Sequence, residues 1–262
     1  MKWNWQQPDW PHFTWDRARL SVAEEQFLLG AGVAMGTAKH LGEDEHNQLM
    51  VELMSGEALT TSAIEGEVLN RASVQSSILR QLGLAPGENR RVMPAEQGIA
   101  EMMVDLYRTF SQPLSKETLF KWHRMVTSGR RDLADMGRYR TSKEPMQVVS
   151  GPIGDARVHF EAPPSKQVPA GMRRFIAWFN RSAPNGAEPL TAITRAGIAH
   201  LYFESIHPFE DGNGRIGRAI AEKATTQSFG RPVLICLATT MLAHQKRYYE
   251  ALERANRRND IT

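Results

Sequence analysis

The chain has 262 residues, 41% of them hydrophobic and 23% charged. That balance excludes a collagen-like, coiled-coil or wholly disordered protein. A net charge of +3 over this length is too weak to argue for nucleic acid, and no apolar run approaches the roughly 18 residues of a membrane span.

The opening residues lack the apolar core of a secretion signal, so a cytoplasmic location is expected. Trp3, Trp5, Trp10 and Trp15 crowd the start beside Pro8 and Pro11. Few cations flank them, so they are expected as an aromatic cap packed on the next helices, not a base-stacking platform. Over residues 21–82, Phe27, Leu28, Val33, Leu41, Leu49, Leu53, Ile64, Leu69, Ile78 and Leu82 recur at helical spacing. Gly and Pro make 83–89 a loop. Helical spacing returns over 94–110, with Pro94 near the start, and over 115–126, with Ser115 as cap.

Residues 146–160 read differently. Two short Val- and aromatic-containing runs flank Gly151, Pro152, Gly154 and Asp155, the signature of a β-hairpin. Helices resume over 168–181, 191–206, 215–229 and 239–258, with Pro184, Asn185, Gly186 and Pro189 marking one loop between them. Cys236 is the sole cysteine; it permits no intramolecular disulfide and reads as a small buried hydrophobe in the apolar run 233–238. The expected fold is all-α with one inserted hairpin, divided into an extension (1–45), a helical region (46–112) and a core (113–262).

The densest chemistry lies in His207-Pro-Phe-Glu-Asp-Gly-Asn-Gly-Arg-Ile-Gly-Arg218. Its G-x-G-x-x-G spelling follows a helix rather than a strand, which removes a dinucleotide fold. Arg215 stands at a ligand position of any EF-hand loop and would repel Ca²⁺. A Walker A loop is absent, and His200 with His207 lack a second pair of zinc ligands. A phosphate site suits every residue type. Gly212, Asn213 and Gly214 form a backbone nest, and a helix beginning near Arg215 offers free N–H groups to an anion. Arg215 and Arg218, three apart, project to one side and grip a polyphosphate. Asp211 suits Mg²⁺, His207 suits proton removal from a hydroxyl, and Phe209 anchors the loop. The plain alternative is a solvated, charged corner between helices; the ordered set favours a nucleoside-triphosphate site.

This segment is similar to the Fic family motif H-x-F-x-[DE]-G-N-G-R-x-x-R at every fixed position. Gly137-Arg-Tyr-Arg140, the hairpin, Phe160-x-x-Pro163 and the 168–180 helix resemble the family's order upstream, so the resemblance spans about residues 114–252. It implies protein AMPylation: AMP moves from ATP to a Ser, Thr or Tyr hydroxyl of a target protein, and pyrophosphate leaves. It implies His207 as general base, Asp211 as Mg²⁺ ligand, and phosphate binding over Gly212, Asn213, Gly214, Arg215, Ile216, Gly217 and Arg218. The hairpin resembles the family flap, which holds the target by strand addition, and Tyr249 matches a position that often contacts nucleotide. The Doc branch, a phosphotransferase, has lysine where this chain has Gly214, which speaks against that activity.

Thr61-Ser-Ala-Ile-Glu65-Gly66 resembles the family's inhibitory pattern [ST]-x-x-x-E-[GN]. Thr61 and Glu65 share a helix face, and Glu65 paired with Arg218 would take the cation needed by the terminal phosphate. The alternatives are removal of AMP by a water that Glu65 orients, and a regulatory protein whose nucleic-acid-binding module is missing after the uncapped end at 259–262. Arg90-Arg91, Arg130-Arg131 and the arginines of 254–258 are expected as solvated faces. Self-AMPylation and a homodimer are compatible with the sequence.

Overall fold

In a computed structural model, described for residues 2–84, 92–150, 157–232 and 236–262, the fold is all-α with one small antiparallel hairpin. The expected hairpin turn at 151–156, most of the 83–89 loop, Arg90-Arg91 and residues 233–235 lie outside the described residues.

The stretch 21–82 is three helices, because local chemistry interrupts it twice. Helix α1 (Arg17–Ala38) starts where Asp16 Oδ1 accepts the N–H groups of Ala18 and Arg19, at 2.9 and 3.1 Å. Helix α2 (Glu43–Ile64) starts at Gly42, with Glu43, Asp44 and Glu45 at its positive end. Gly66, at φ 81°, turns the chain away after α2. Asn70 then caps α3 (Arg71–Leu82), accepting from the Ser73 N–H at 3.0 Å. Glu96, in the first turn of α4 (Pro94–Thr109), accepts from the N–H groups of Asn70 and Met93, which joins the starts of α3 and α4. Ser115 caps α5 (Lys116–Val126) as its sequence implied.

Strands β1 (Gln147–Ser150) and β2 (Arg157–Glu161) pair antiparallel, with a register shift between Val148 and Val149. Helices α6 (Val168–Arg181) and α7 (Ala192–Ile206) follow. Glu24 of α1 accepts the Ile193 N–H at 3.1 Å, so α1 supplies a cap for α7. Helix α8 (Asn213–Phe229) is buried on almost every side from Asn213 to Thr226, so it runs through the core rather than over it. Around it pack Trp122, Phe175, Phe203 and Phe209, each fully buried. Its buried Lys223 donates to the Thr109 and Phe110 carbonyls at 2.7 and 2.9 Å, satisfying the end of α4.

Several expectations are corrected. Helix α8 starts two residues before Arg215, since Gly212 takes a left-handed φ of 78° and the Asn213 side chain closes the turn. The expected 239–258 helix is two, α9 (Leu237–Ala243) and α10 (Gln245–Ala255), broken at His244 with φ −121° and ψ 33°. Trp3, Trp5 and Trp10 pack on the core and hairpin rather than on the next helices, while Trp15 lies under Arg17 at the start of α1. Trp10 lies edge-on to Tyr202 at 5.1 Å, Trp3 meets Phe160 at 5.4 Å, and the Trp5 Nε1–H donates to the Glu161 carbonyl at 2.7 Å. The Asn4 N–H donates to the Asn256 carbonyl at 2.7 Å, so the start of the chain is fastened to its end. Cys236 is half-buried rather than buried. Among the described residues, no helix is long and apolar enough to cross a membrane.

Candidate active site

The site forms where α7 ends and α8 begins. His207 follows α7 with φ 48°, a left-handed value costly for any residue with a Cβ. The surroundings enforce it. Arg140 donates to the His207 carbonyl at 2.7 Å and to the Pro163 carbonyl at 2.5 Å, and its N–H donates to the Pro208 carbonyl at 2.9 Å. Phe209 stacks on His123 with centroids 4.1 Å apart and planes within 6°. Asn213 accepts from the Phe209 N–H at 3.0 Å and donates to its carbonyl at 2.9 Å. Asn213 therefore spends its side chain bracing the loop. Only its backbone is left for a ligand.

The acids and cations are interleaved. Asp211 accepts from the Gly212 N–H at 2.5 Å and from Arg215 at 3.4 Å, and it also pairs with Arg130. Burial opposes its charge, but Arg215, the Gly212 N–H and Arg130 hold the carboxyl below its ordinary range. Arg215, only 3% exposed, donates to Glu67 at 2.7 Å and to the Val126 carbonyl at 3.2 Å. Arg218, 2% exposed, donates to the Thr61 hydroxyl at 2.7 Å, the Thr61 carbonyl at 2.9 Å and Glu65 at 2.6 Å. Arg218 thus satisfies the negative end of α2 as well as a carboxylate. A Cβ built on Gly214 would lie 2.2 Å from Glu65 Oε1, so Glu65 rests directly on the first turn of α8. An anion seat exists there, formed by a helix N-terminus and a buried guanidinium, and a carboxylate of the same chain fills it.

Other expected residues take varied places. His207 is buried, which pushes its imidazole down to about 4. Ile216 is fully buried in the core, so its side chain faces away from any ligand. At Gly217 a Cβ would lie 2.3 Å from Glu204 Oε1, so that glycine makes room for an acid rather than for phosphate. Gly66 carries the left-handed turn after Glu65. Tyr249 is 46% exposed, and its hydroxyl donates to the Ile64 carbonyl at 3.3 Å, which puts it against the end of α2. The hairpin leaves Val148, Val149 and Val158 exposed.

Three participants escaped the sequence reading. Glu67 follows Glu65 by two residues, and its signal was the second buried arginine awaiting an acid. Arg130 was expected on a solvated face but engages Asp211 and Asp132; its neighbour Arg131 is exposed. Glu204 lies three residues before His207, its carboxylate 3.7 Å from the ring Nδ1; the one-turn spacing on α7 was the available signal.

Asp211 suits Mg²⁺, which is held by one or two carboxylates together with substrate phosphates. Its carboxylate is ionised, and a third of the side chain is exposed. Among the described residues no cluster of three acid, histidine or cysteine ligands exists.

Residues 113–224 match the family model described as Fic/DOC family, and residues 3–84 match one described as a domain of unknown function. The chain is 28% identical over 200 residues to protein adenylyltransferase fic-1 of Caenorhabditis elegans, covering 75% of this chain and 35% of that one. It is 26% identical over 200 residues to protein adenylyltransferase Fic of Nematostella vectensis, covering 75% and 42%. The chain therefore spans well under half the length of these relatives. The crystal structure of a Fic family protein from Desulfovibrio desulfuricans superposes with a TM-score of 0.68 at 23% identity, covering 96% of this chain and 70% of that one. That likeness concerns the fold.

Proposed function

Because residues 113–224 match the Fic/DOC family model, we propose that this chain transfers AMP from ATP to a Ser, Thr or Tyr hydroxyl of a target protein. The observation that carries the reading is the anion seat at the start of α8, built from its free N–H groups and Arg218 and occupied by Glu65.

The residues divide the work. The first turn of α8, with Arg215 and Arg218, binds the phosphates of ATP. Asp211 would hold Mg²⁺, which when bound neutralises phosphate charge. His207 Nε2 takes the proton of the target hydroxyl. The hydroxyl oxygen forms a bond to the α-phosphorus as the bond from that phosphorus to the leaving oxygen breaks, and pyrophosphate departs with the electron pair. The exposed edge of the hairpin offers backbone groups to an extended target segment, and this chain can serve as its own target.

The resting arrangement is self-inhibited. Glu65 holds Arg218 and Glu67 holds Arg215, with Gly66 splaying the two acids onto two arginines one turn apart. Phosphate must displace both carboxylates. Tyr249 steadies the end of α2 in this closed state.

The test is intact-mass analysis after incubation with ATP and Mg²⁺. An AMP-sized increment on Glu65→Gly, absent from wild type and from Glu65→Gly with His207→Ala, is expected. If no variant modifies itself or proteins of a cell extract, the reading fails.

A further inference from the structure

We propose that Glu204 is a positioning residue for His207, its carboxylate fixing the ring in the tautomer that carries hydrogen on Nδ1. The proposal rests on the reading of His207 as the base.

A neutral imidazole can accept a proton at Nε2 only if its hydrogen is on Nδ1. That N–H needs an acceptor, because a buried donor without one is costly. Here Nδ1 is buried and makes no hydrogen bond among the described residues. Among the described residues, the one carboxylate in ion-pair range of the ring is Glu204, with Oε2 3.7 Å from Nδ1 and the two side chains 13% and 15% exposed. The other oxygen, Oε1, is also buried and unpartnered, lying over Gly217, where any Cβ would collide with it. One oxygen of Glu204 thus faces the unpartnered Nδ1 across one turn of α7, while the other is held over Gly217. The left-handed backbone of His207 is what lets a residue just beyond the helix put its ring beside that turn.

When His207 takes the hydroxyl proton, both ring nitrogens carry hydrogen, and the new charge faces Glu204. Glu204 itself gains and loses nothing. Its surroundings link this role to the brake. Burial first, and then the charge of Glu65, push the Glu204 carboxyl up to about 8, while Arg218 opposes them. Around the ring, Arg140 disfavours and Asp211 favours the imidazolium. Withdrawal of Glu65 removes the second of these influences and moves the Glu204 carboxyl down toward its ordinary range. The movement that frees the phosphate seat therefore also favours the carboxylate that His207 needs. The rival acceptor is the backbone carbonyl of Glu204, which also lies near the ring.

The experiment reads the ¹⁵N shifts of the His207 ring in the full chain. It compares Glu65→Gly with the same protein carrying Glu204→Met, which keeps volume and removes the acceptor, or Glu204→Gln, which keeps an acceptor without charge. Hydrogen on Nδ1 is expected in Glu65→Gly, with a shift toward the Nε2–H form in Glu204→Met and an intermediate state in Glu204→Gln. The kcat of AMP transfer should fall about 10–100-fold in Glu204→Met, with KM for ATP within about twofold. An unchanged tautomer in both variants would overturn the proposal and assign the ring to the backbone carbonyl. If Glu65→Gly transfers no AMP yet the tautomer still follows Glu204, the AMP-transfer reading falls and the positioning role stands.

Discussion

Glu65 and Arg218 stand 153 residues apart in the chain and meet at 2.6 Å over the first turn of α8. One belongs to the end of α2, the other to the buried face of α8. Neither could be read as a contact from local spacing. The pair joins the N-terminal helices to the start of α8, so any anion binding at that helix N-terminus must compete with a residue the protein supplies.

The first prediction follows from that competition. A charge-assisted hydrogen bond contributes about 1.5–3 kcal/mol, and tenfold in affinity is about 1.4 kcal/mol. Glu65→Gly should therefore tighten ATP binding by about 10–100-fold, read by calorimetry. Glu67→Gln should give a smaller gain, since the amide oxygen still accepts from Arg215 and only the charge is lost. The double variant should exceed either. Equal ATP affinity in wild type and Glu65→Gly would remove the brake from the account.

His207→Ala in the Glu65→Gly background should lower AMP transfer by about 10²–10⁴-fold, the usual worth of a general base. ATP affinity should stay within about twofold, because no phosphate-binding cation touches the ring among the described contacts. A parallel loss of binding and transfer would make His207 a structural residue of the loop.

The sequence announced the helices with strong caps: Ser115 and Pro94 marked real starts. It misjudged those set by distant partners. The early start of α8 depends on a hydrogen bond from Asn213 back to Phe209, and the break at His244 has no side-chain cap to announce it. The 207–218 segment was legible because its residues are contiguous. Arg130 and Glu204 were not, since each matters only through a partner brought close by folding. Ile216 and Gly217 lay inside the motif, yet their side faces serve packing. A motif fixes backbone positions more surely than it fixes what each side chain does.

Acid should remove the stabilising contribution of two buried histidines, against the opposite effect of the buried Glu204 carboxyl, which burial pushes up to about 8. Burial pushes His123 from 6.5 down to about 4, and His200 likewise to about 4. The unfolded chain takes up these protons near 6.5 and the folded chain only near 4. Their contribution is therefore complete above pH 6.5 and is lost as pH falls toward 4, at about 1 kcal/mol per unit for each ring. Urea unfolding at pH 7.5 and at pH 5 measures the slope. His123→Gln keeps an acceptor for the Gly137 N–H and removes one titrating group, so its stability should depend less steeply on pH. Parallel slopes for the two proteins would place the acid sensitivity elsewhere.

Gly98 sets how closely α4 approaches α5. A Cβ there would lie 1.9 Å from the Met125 carbonyl oxygen and 3.0 Å from the Ser128 Cβ, so backbone rather than a flexible side chain opposes it. Helix propensity alone would favour alanine by about 1 kcal/mol. The collision outweighs that gain, because relieving it separates two helices whose interface holds the fully buried Trp122 and Met102. Gly98→Ala should cost about 1–3 kcal/mol net, and lower Tm by several degrees at about 2–4 °C per kcal/mol. Since α5 also carries His123, which stacks on Phe209, the same shift should reach the catalytic loop. AMP transfer by Glu65→Gly with Gly98→Ala should then fall even well below Tm. A Gly98→Ala protein that is more stable than wild type would mean that the two helices separate freely, and that the packing beneath the site is looser than this close approach implies.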